Sequence, residues 1–391
     1  MPEVLGFAKY TMIGGGIWRA PFSKNPLVRK TYSVYSVAAQ MYFLTFTLLF
    51  CTKVIVIIRE KIAADILFRV LSYTLSLIIA QAKSLICQTR RVKQIFTYIL
   101  EEETKIVGCG DDEVLDRYAR RVKVGNHINL AIFSFTSALG LGAIAENIQN
   151  RLEIGAYNLA HNETLRKPFL YEFYYGQLDT EENSTALMWL NYCTVVIAAI
   201  VCISTQIIFL SSIVFVASVF ETLQIRFGKL VDASKDTVAT LKSLVVQHQR
   251  AIRFVEELND AMKYLMLMEY VLASFNIASV LIEFITEKEL TAMFLFGRSC
   301  YSAWLITNIF ALGWTSNEIR VQSAQVANSI FETRWYEQSE EAKRILFIML
   351  MRSQKPMVLS KGPFGDMTIE TSLTMMKAAY SYVSLMSQEY K

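Results

Sequence analysis

A helical stripe of small and polar residues near the end of the chain is the feature with the clearest chemical use. Its members recur every three or four residues and therefore share one helix face: Thr371, Thr374, Ala378, Ser381, Leu385 and Gln388. Leu385 is the one bulky apolar residue on that face. In a lipid-embedded chain, such a face suits the lining of an ion pore, and a ring of leucines suits a hydrophobic gate. The same spacing also fits a packing face between membrane helices, and periodicity alone favours neither interpretation.

Side chains that could catalyse a reaction or hold a metal do not cluster in this sequence. His127, His161 and His248 are scattered without ligand spacing, and no common zinc, phosphate-binding or nucleophile motif occurs. Five of the six cysteines lie in or at the ends of apolar stretches, and Cys109 lies in a charged segment. We therefore expect no enzyme activity, no metal site, no cofactor and no structural disulfide.

The composition indicates a membrane protein. Hydrophobic residues make up 53% of the 391 residues and charged residues only 19%, while 39 basic and 35 acidic residues argue against nucleic-acid binding. Seven stretches approach the ~20 residues that a helix needs to cross a bilayer. They are Ser33–Ile58, Ile66–Cys87, Gly125–Ala145, Ala186–Phe220, Tyr264–Ile285, Leu290–Trp314 and Thr371–Gln388. We expect an all-α membrane protein with seven transmembrane helices.

The distribution of basic residues predicts the orientation of these spans. With a cytoplasmic N-terminus, the inner segments hold 27 Lys and Arg residues and the outer segments hold 7. Positive charge favours the cytoplasmic side, so the N-terminus is predicted inside and the C-terminus outside. The two glycosylation sequons, at Asn162 and Asn183, fall in the loop 146–185, which this orientation places outside.

The predicted cytoplasmic segments are longer than connecting loops require. Residues 229–263 continue the fourth span as an amphipathic helix, and residues 317–352 are predicted to form one long amphipathic helix that ends at Arg352. We divide the chain into a bundle with cytoplasmic extensions, residues 1–316, and an anchor helix followed by the last span, residues 317–391. Trp335 is the best candidate for an assembly contact, because a large aromatic on such a helix needs a dry partner.

Charges within the spans are candidates for function by default. We expect Lys83 and Glu269 to pair or to lie near helix ends, whereas Arg298 and Lys377 are deeper and could line a path for ions or ligand. A secondary transporter would carry matched Gly or Pro interruptions in two halves of the chain, and none is found.

Seven spans and Asp116-Arg117-Tyr118 also suggest a G-protein-coupled receptor. In that family the Asp-Arg-Tyr motif follows the third span and the N-terminus is external. Here the motif precedes the third span and the charge count predicts a cytoplasmic N-terminus. This alternative is therefore disfavoured.

The last seventy or so residues resemble the insect odorant receptor family. The resemblance is carried by Trp335 and Tyr336, by the segments 352–356 (RSQKP) and 362–364 (GPF), and by 377–382 (KAAYSY). Ser381-Tyr382 followed by Gln388 is similar to the Thr-Tyr and Gln pattern of the wider insect chemoreceptor superfamily. Gustatory receptors usually have Phe after that Gln, whereas this chain has Glu389. The loop 221–263 has no room for the large insertion of the family's co-receptor, so the chain resembles a ligand-tuned subunit.

The resemblance implies an odorant-binding subunit of a heteromeric, ligand-gated, nonselective cation channel. Four subunits, including the odorant receptor co-receptor, would surround a pore lined by the last helix, with Leu385 as the gate. Trp335 and Tyr336 would contribute to assembly. The expected location is the plasma membrane of sensory neuron dendrites, as a multi-pass glycoprotein. A gustatory-type chemoreceptor channel is the alternative.

The resemblance also places the ligand pocket in the outer half of the bundle. Candidate lining residues there are Ser72, Tyr73, Phe133, Phe135, Thr136, Leu139, Tyr192, Val196, Met293 and Tyr301. They are mostly apolar and aromatic with a few hydroxyls, as in many small-molecule sites. We expect a small, volatile, neutral ligand, unless Arg298 turns inward.

Overall fold

The computed structural model is helical through most of its length. It describes residues 3–18, 23–61, 64–162, 165–171, 173–178, 180–231, 237–286 and 292–389. Within these ranges, only the backbone is described for residues 64, 65, 68, 69, 231, 282, 283, 285, 286, 292–294, 379, 382, 383 and 385–389. In these ranges strand-like pairing is confined to one isolated bridge between Ser360 and Asp366.

The structure confirms the all-α fold class, and each predicted span falls on a helix apart from residues 290–291, which lie outside the description. The helices are α1 Gly6–Gly14, α2 Pro26–Glu60, α3 Ala64–Cys87, α4 Arg90–Val107, α5 Asp112–His161, α6 Ser184–Gly228, α7 Thr237–Thr286, α8 Ala292–Phe331, α9 Glu340–Ser353 and α10 Ile369–Glu389. By length and hydropathy, α2, α3, α5, α6 and α7 are candidate membrane spans in the described part of the chain. The cytoplasmic position of the N-terminus stays a prediction.

The predicted single helix over 317–352 is wrong, because the chain turns between α8 and α9. The Thr333 hydroxyl donates to the Ile330 carbonyl at the end of α8. Ser339 then caps α9 by accepting from the Ala342 amide at 3.3 Å. The helix α8 continues through residue 316, so the two proposed regions of the chain share one helix.

The helix α6 is the centre of the bundle. It is 45 residues long, and its C-terminal half is buried nearly all round against neighbouring helices, chiefly α5 and α8. Gly125 of α5 permits the close approach of α5 to α6, since a β-carbon there would lie 3.0 Å from a methyl of Val214. A helix that is apolar all round, as α6 is, fits this enclosed position.

The N-terminal helix α1 docks on the bundle, which the sequence pattern did not predict. Trp18 is fully buried and stacks on Phe96 of α4 with ring centroids 5.3 Å apart. The buried carboxylate of Glu103 accepts hydrogen bonds from the Val4 amide and the Tyr118 hydroxyl, both at 2.9 Å. Burial raises the pKa of Glu103, and these two hydrogen bonds partly oppose that shift.

An ion-pair network joins three helices at the predicted cytoplasmic end. Arg121 of α5 donates to Glu221 of α6 at 3.1 Å and to Glu318 of α8 at 2.8 Å, and Arg117 reaches Glu221 at 3.3 Å. These carboxylates raise the pKa of Arg121 against the opposing effect of burial. Two residues of the Asp-Arg-Tyr segment therefore make contacts between helices, Arg117 with Glu221 and Tyr118 with Glu103.

At the opposite end of the bundle, the loop between α5 and α6 packs on α2 and α3. Phe173 meets Phe50 with centroids 4.4 Å apart, and Tyr171 meets Tyr73 at 4.8 Å. The fully buried Asn191 amide donates to the Tyr171 carbonyl at 2.7 Å and fixes the loop. These contacts form a second apolar cluster, separate from the main core.

Candidate ligand cleft and pore helix

The base of α10 is held against α7 and α8. Ser372 is fully buried, and its hydroxyl donates to the Ile309 carbonyl of α8 at 3.2 Å and lies 3.4 Å from the Tyr270 hydroxyl of α7. Gly313 makes this approach possible, because a β-carbon there would lie 2.9 Å from the Thr368 carbonyl oxygen. The first turns of α10 are thus fixed by packing on two helices.

The polar stripe of α10 lies on the surface of the single chain. Thr374, Ala378 and Ser381 are exposed, and Thr371 is half-buried. The hydroxyls of Thr374 and Ser381 donate to the carbonyls four residues earlier, which leaves their oxygen lone pairs free to accept from water or to face a cation. The side chains of Leu385 and Gln388 lie outside the described residues.

Other exposed residues on α10 show that its open surface extends beyond the polar stripe. Leu373 is 45% exposed and Tyr380 72% exposed. Lys377 is also exposed. A helix open on both the polar and the apolar side has room to face a pore on one side and lipid or a neighbouring subunit on the other.

Three of the predicted ligand-binding residues line one cleft between α3, α7 and α8. The cleft is lined by Ser72, Tyr73, Asn276, Ser279, Val280, Arg298 and Tyr301. The volume it encloses is about 10 Å³. That is room for about one water molecule, so a ligand would enter only if α3, α7 and α8 move apart.

The cleft is more polar than the sequence analysis expected. We expected a neutral ligand unless Arg298 turned inward, and Arg298 does line the cleft. Asn276 and Ser279 were missed, although two polar residues three apart in the apolar run of α7 share one helix face and could have indicated the site.

The other predicted ligand residues do not line this cleft. Thr136 is connected to the cleft through one intermediate residue. Its hydroxyl accepts a hydrogen bond from the Trp304 indole at 2.8 Å, and Trp304 stacks on the cleft residue Tyr301. Tyr192 is buried and donates to Asn147 at 2.8 Å. The remaining described residues are placed elsewhere: Phe133 against Phe7 of α1, Leu139 half-buried on α5, and Phe135 and Val196 on the exposed surface. The side chain of Met293 lies outside the described residues.

A buried ion pair confirms the expectation for Lys83 and Glu269. Lys83 of α3 is 4% exposed and pairs with Glu269 of α7, and it also donates to the Gln206 side chain of α6 at 3.3 Å. The ion pair links α3, which lines the cleft, to α7, which contacts α10.

The proposed assembly residues lie in the turn between α8 and α9 rather than within a helix. Trp335 and Tyr336 begin a short 3₁₀ turn, are 41% and 59% exposed, and meet edge to face with centroids 6.1 Å apart. Both rings are thus accessible to a partner on the single chain.

Both asparagines of the sequons are accessible. Asn162 and Asn183 are exposed, and each flanks a helix, at the end of α5 and the start of α6 respectively. Surface accessibility of this kind is needed for glycosylation.

A second cavity lies at the other end of the bundle, near the ion-pair network. The volume it encloses is about 20 Å³, and it is lined by Arg121, Val124, Gly125, Ile128, Val214, Ala217, Trp314, Thr315 and Glu318. It contains none of the predicted ligand residues. Among the described residues, no group of His, Cys, Asp and Glu side chains is arranged to hold a metal ion.

Comparison with known proteins decides the family. Residues 67–380 match the sequence profile described as "7tm Odorant receptor". The chain belongs to the 7tm odorant receptor family. This membership supports a multi-pass membrane protein that is not an enzyme, and it favours the odorant over the gustatory interpretation.

Individual odorant receptors and solved structures are similar to this chain. Odorant receptor Or2 of Anopheles gambiae is 27% identical over 39% of this chain and 40% of its own length. Odorant receptor 10 of Aedes albopictus is 26% identical over 46% of this chain and 49% of its own length. The chain therefore aligns with less than half of the length of each of these two relatives.

The fold matches a solved insect olfactory receptor over nearly its whole length. The structure of OR5 from Machilis hrabei in complex with eugenol superimposes with a TM-score of 0.82, covering 99% of this chain and 98% of OR5. The structure of OR5 described without that ligand gives a TM-score of 0.79. At 13% identity, this likeness shows the fold alone.

Proposed function

We propose that this odorant receptor is the ligand-binding subunit of a heteromeric, nonselective cation channel that a small volatile molecule opens. The chain would assemble with the odorant receptor co-receptor in the plasma membrane of sensory neuron dendrites, with α10 lining the central pore. The observation that carries the proposal is the exposed polar stripe of α10. A stripe of outward lone pairs on a membrane helix suits a water-filled pore better than lipid.

The contacts of α7 and α8 support a route from ligand to pore. Each of these helices carries residues of the cleft and residues that hold α10: Asn276 and Tyr270 on α7, and Tyr301 and Gly313 on α8. Asn276 and Tyr270 are about 9 Å apart along the helix at 1.5 Å per residue. A displacement of α7 or α8 at the cleft would therefore reach the base of the pore helix directly.

The ligand is proposed to be small and neutral. OR5 has been solved in complex with eugenol, and a small volatile molecule is correspondingly proposed here. The presence of Arg298 does not require an anionic ligand, because its N–H groups can also donate to a neutral oxygen.

The gate assignment tests the channel proposal. Leu385→Ser should raise ligand-independent current when the chain is co-expressed with the co-receptor, since a polar side chain lets water and ions into the constriction. Leu373→Ser, on the exposed apolar side of α10, is the matched control and should have a smaller effect. Because co-receptor leucines would share the gate, a co-receptor with a weakened gate is the sensitive background. Equal effects at both positions, or none at Leu385, would refute the pore assignment.

A further inference from the structure

A cluster of exposed cations lies at the point where α3 passes into α4. Arg90, Arg91 and Lys93 are exposed, and none of the three forms an ion pair with a described residue. The acidic residues of α4 begin at Glu101, about 12 Å farther along the helix at 1.5 Å per residue. Because that distance exceeds the Debye length of about 8 Å at physiological ionic strength, these acids neutralise little of the charge of the cluster.

Two neighbouring helices place the edge of the bilayer at the level of this cluster. On α3, the apolar side chain of Leu85 is 52% exposed and precedes Arg90 by five residues. On α7, the half-buried Lys263 is followed by Tyr264, which is 62% exposed, and one turn later by Met268, which is 52% exposed. A charged residue, then an aromatic, then apolar side chains is the order expected where a helix passes from water into lipid.

Electrostatic contacts connect the cluster to this turn of α7. Lys263 donates to Asp260 at 2.8 Å, and its ammonium nitrogen lies 5.6 Å from the centroid of the Tyr264 ring. The charge of Arg91 also acts on the Asp260 carboxylate. Since Asp260 is already paired with Lys263, the surface beside Tyr264 keeps a net positive charge.

We propose that Arg90, Arg91 and Lys93 bind the headgroups of anionic phospholipids at this surface of the bilayer. Cations that a helix holds at headgroup level each strengthen binding to anionic lipid about fivefold, and an arginine can contact a phosphate through two N–H groups. The predicted orientation places the cluster on the cytoplasmic side, where anionic lipids are concentrated. The inference concerns lipid binding and does not rest on the channel function.

Lipid titration of the purified receptor tests the inference. The full chain carries a fluorescent tag, is co-expressed with the co-receptor and is purified in a neutral detergent, and its thermal unfolding is followed as phosphatidylserine or phosphatidylcholine is added. Because a ligand that binds only the folded state raises the unfolding temperature, phosphatidylserine should stabilise the chain more than phosphatidylcholine does. The phosphatidylserine concentration for half of this effect should rise about fivefold in Arg91→Gln and about a hundredfold when Arg90, Arg91 and Lys93 are all changed to Gln.

Lys105→Gln is the matched control for Lys93→Gln. Both are exposed lysines of α4, but Lys105 lies about 18 Å farther along the helix and pairs with Glu102 at 2.9 Å. Its loss should leave the phosphatidylserine titration unchanged, because an exposed ion pair contributes little to stability. Equal titrations of the unaltered chain and the triple variant, or equal protection by soluble glycerophosphoserine, would overturn the lipid assignment.

Photo-cross-linking identifies the partner of the cluster in the membrane without removing a cation. Gln94 is exposed beside Lys93, so p-benzoylphenylalanine in place of Gln94 keeps all three charges and reports on their surroundings. We expect this chain to gain the mass of a phospholipid on illumination. Cross-linking to the co-receptor in place of lipid would show that the cluster is a contact between subunits, and the lipid assignment would then fail.

Discussion

The contact between Gly313 and the start of α10 offers a sharp test of how α10, the proposed pore helix, is held. In Gly313→Ala, the new β-carbon would lie 2.9 Å from the Thr368 carbonyl oxygen and would overlap the Ser372 hydroxyl. A backbone carbonyl cannot rotate away as a side chain can, so α8 and α10 must separate. Such overpacking costs about 1–3 kcal/mol.

Gly297→Ala isolates this strain from the intrinsic effect of the substitution. Gly297 lies on the same helix, and a β-carbon there would have no described atom within 4 Å. Alanine stabilises a helix interior by about 1 kcal/mol over glycine, so both variants gain that amount. The difference between them is therefore the strain at Gly313, about 1–3 kcal/mol.

Thermal unfolding and odorant responses of the two variants measure that difference. We expect Gly313→Ala to unfold at a lower temperature than Gly297→Ala, by a few degrees. If the contact differs between closed and open states, the same energy corresponds to a shift of about 5- to 150-fold in the gating equilibrium. Identical unfolding and identical odorant responses in both variants would show that Gly313 does not fix the base of α10.

Three further predictions follow from contacts elsewhere in the chain. Glu269→Gln should destabilise the receptor by about 3–5 kcal/mol, because it leaves the Lys83 charge buried, and Lys83→Met in the same chain should restore much of the thermal stability. Trp335→Ala should reduce co-purification with the co-receptor, whereas normal assembly with lost stability would indicate packing within the subunit only. The raised pKa of Glu103 means that its protonated form favours the folded state, so this contribution is present at low pH and is lost as pH rises through that pKa. Protease protection of the N-terminal segment should therefore increase on acidification, and Glu103→Gln should abolish that dependence.

The sequence predicted the spans well because a bilayer imposes a simple length and hydropathy requirement on each one. It predicted the break between α8 and α9 poorly, since residues 317–352 keep an amphipathic pattern across the turn. Ser339 followed by Glu340 and Glu341 is a helix-start signature, with a capping hydroxyl and acidic residues in the first turn, and it could have revealed the break. The docking of α1 depends on long-range contacts such as Glu103 with Val4, which no local pattern encodes.

Which candidate ligand residues would lie together was harder to predict, because hydropathy gives the depth of a residue in the bundle but not the rotation of its helix. Ser72, Tyr73 and Tyr301 lie in the cleft, yet Phe135 and Val196 are 37% and 47% exposed on the surface. Polar residues within apolar runs were the better indicator. A buried Asn or Ser is costly in a membrane bundle unless a partner or a ligand pairs with it.

The position of α7 between the cleft and α10 makes it the natural carrier of the gating signal under the proposed function. Ser274 lies between the cleft residue Asn276 and the pore-helix contact Tyr270, and its hydroxyl is 3.6 Å from the Met375 sulfur of α10. Glu269, one residue before Tyr270, ties α7 to α3 through Lys83. A ligand that displaces α7 at Asn276 would therefore act on a helix whose next turns contact α10 and are anchored to α3. Because a ligand shifts a conformational equilibrium only by its differential affinity for the two states, such a ligand would have to bind more tightly to the open channel than to the closed one.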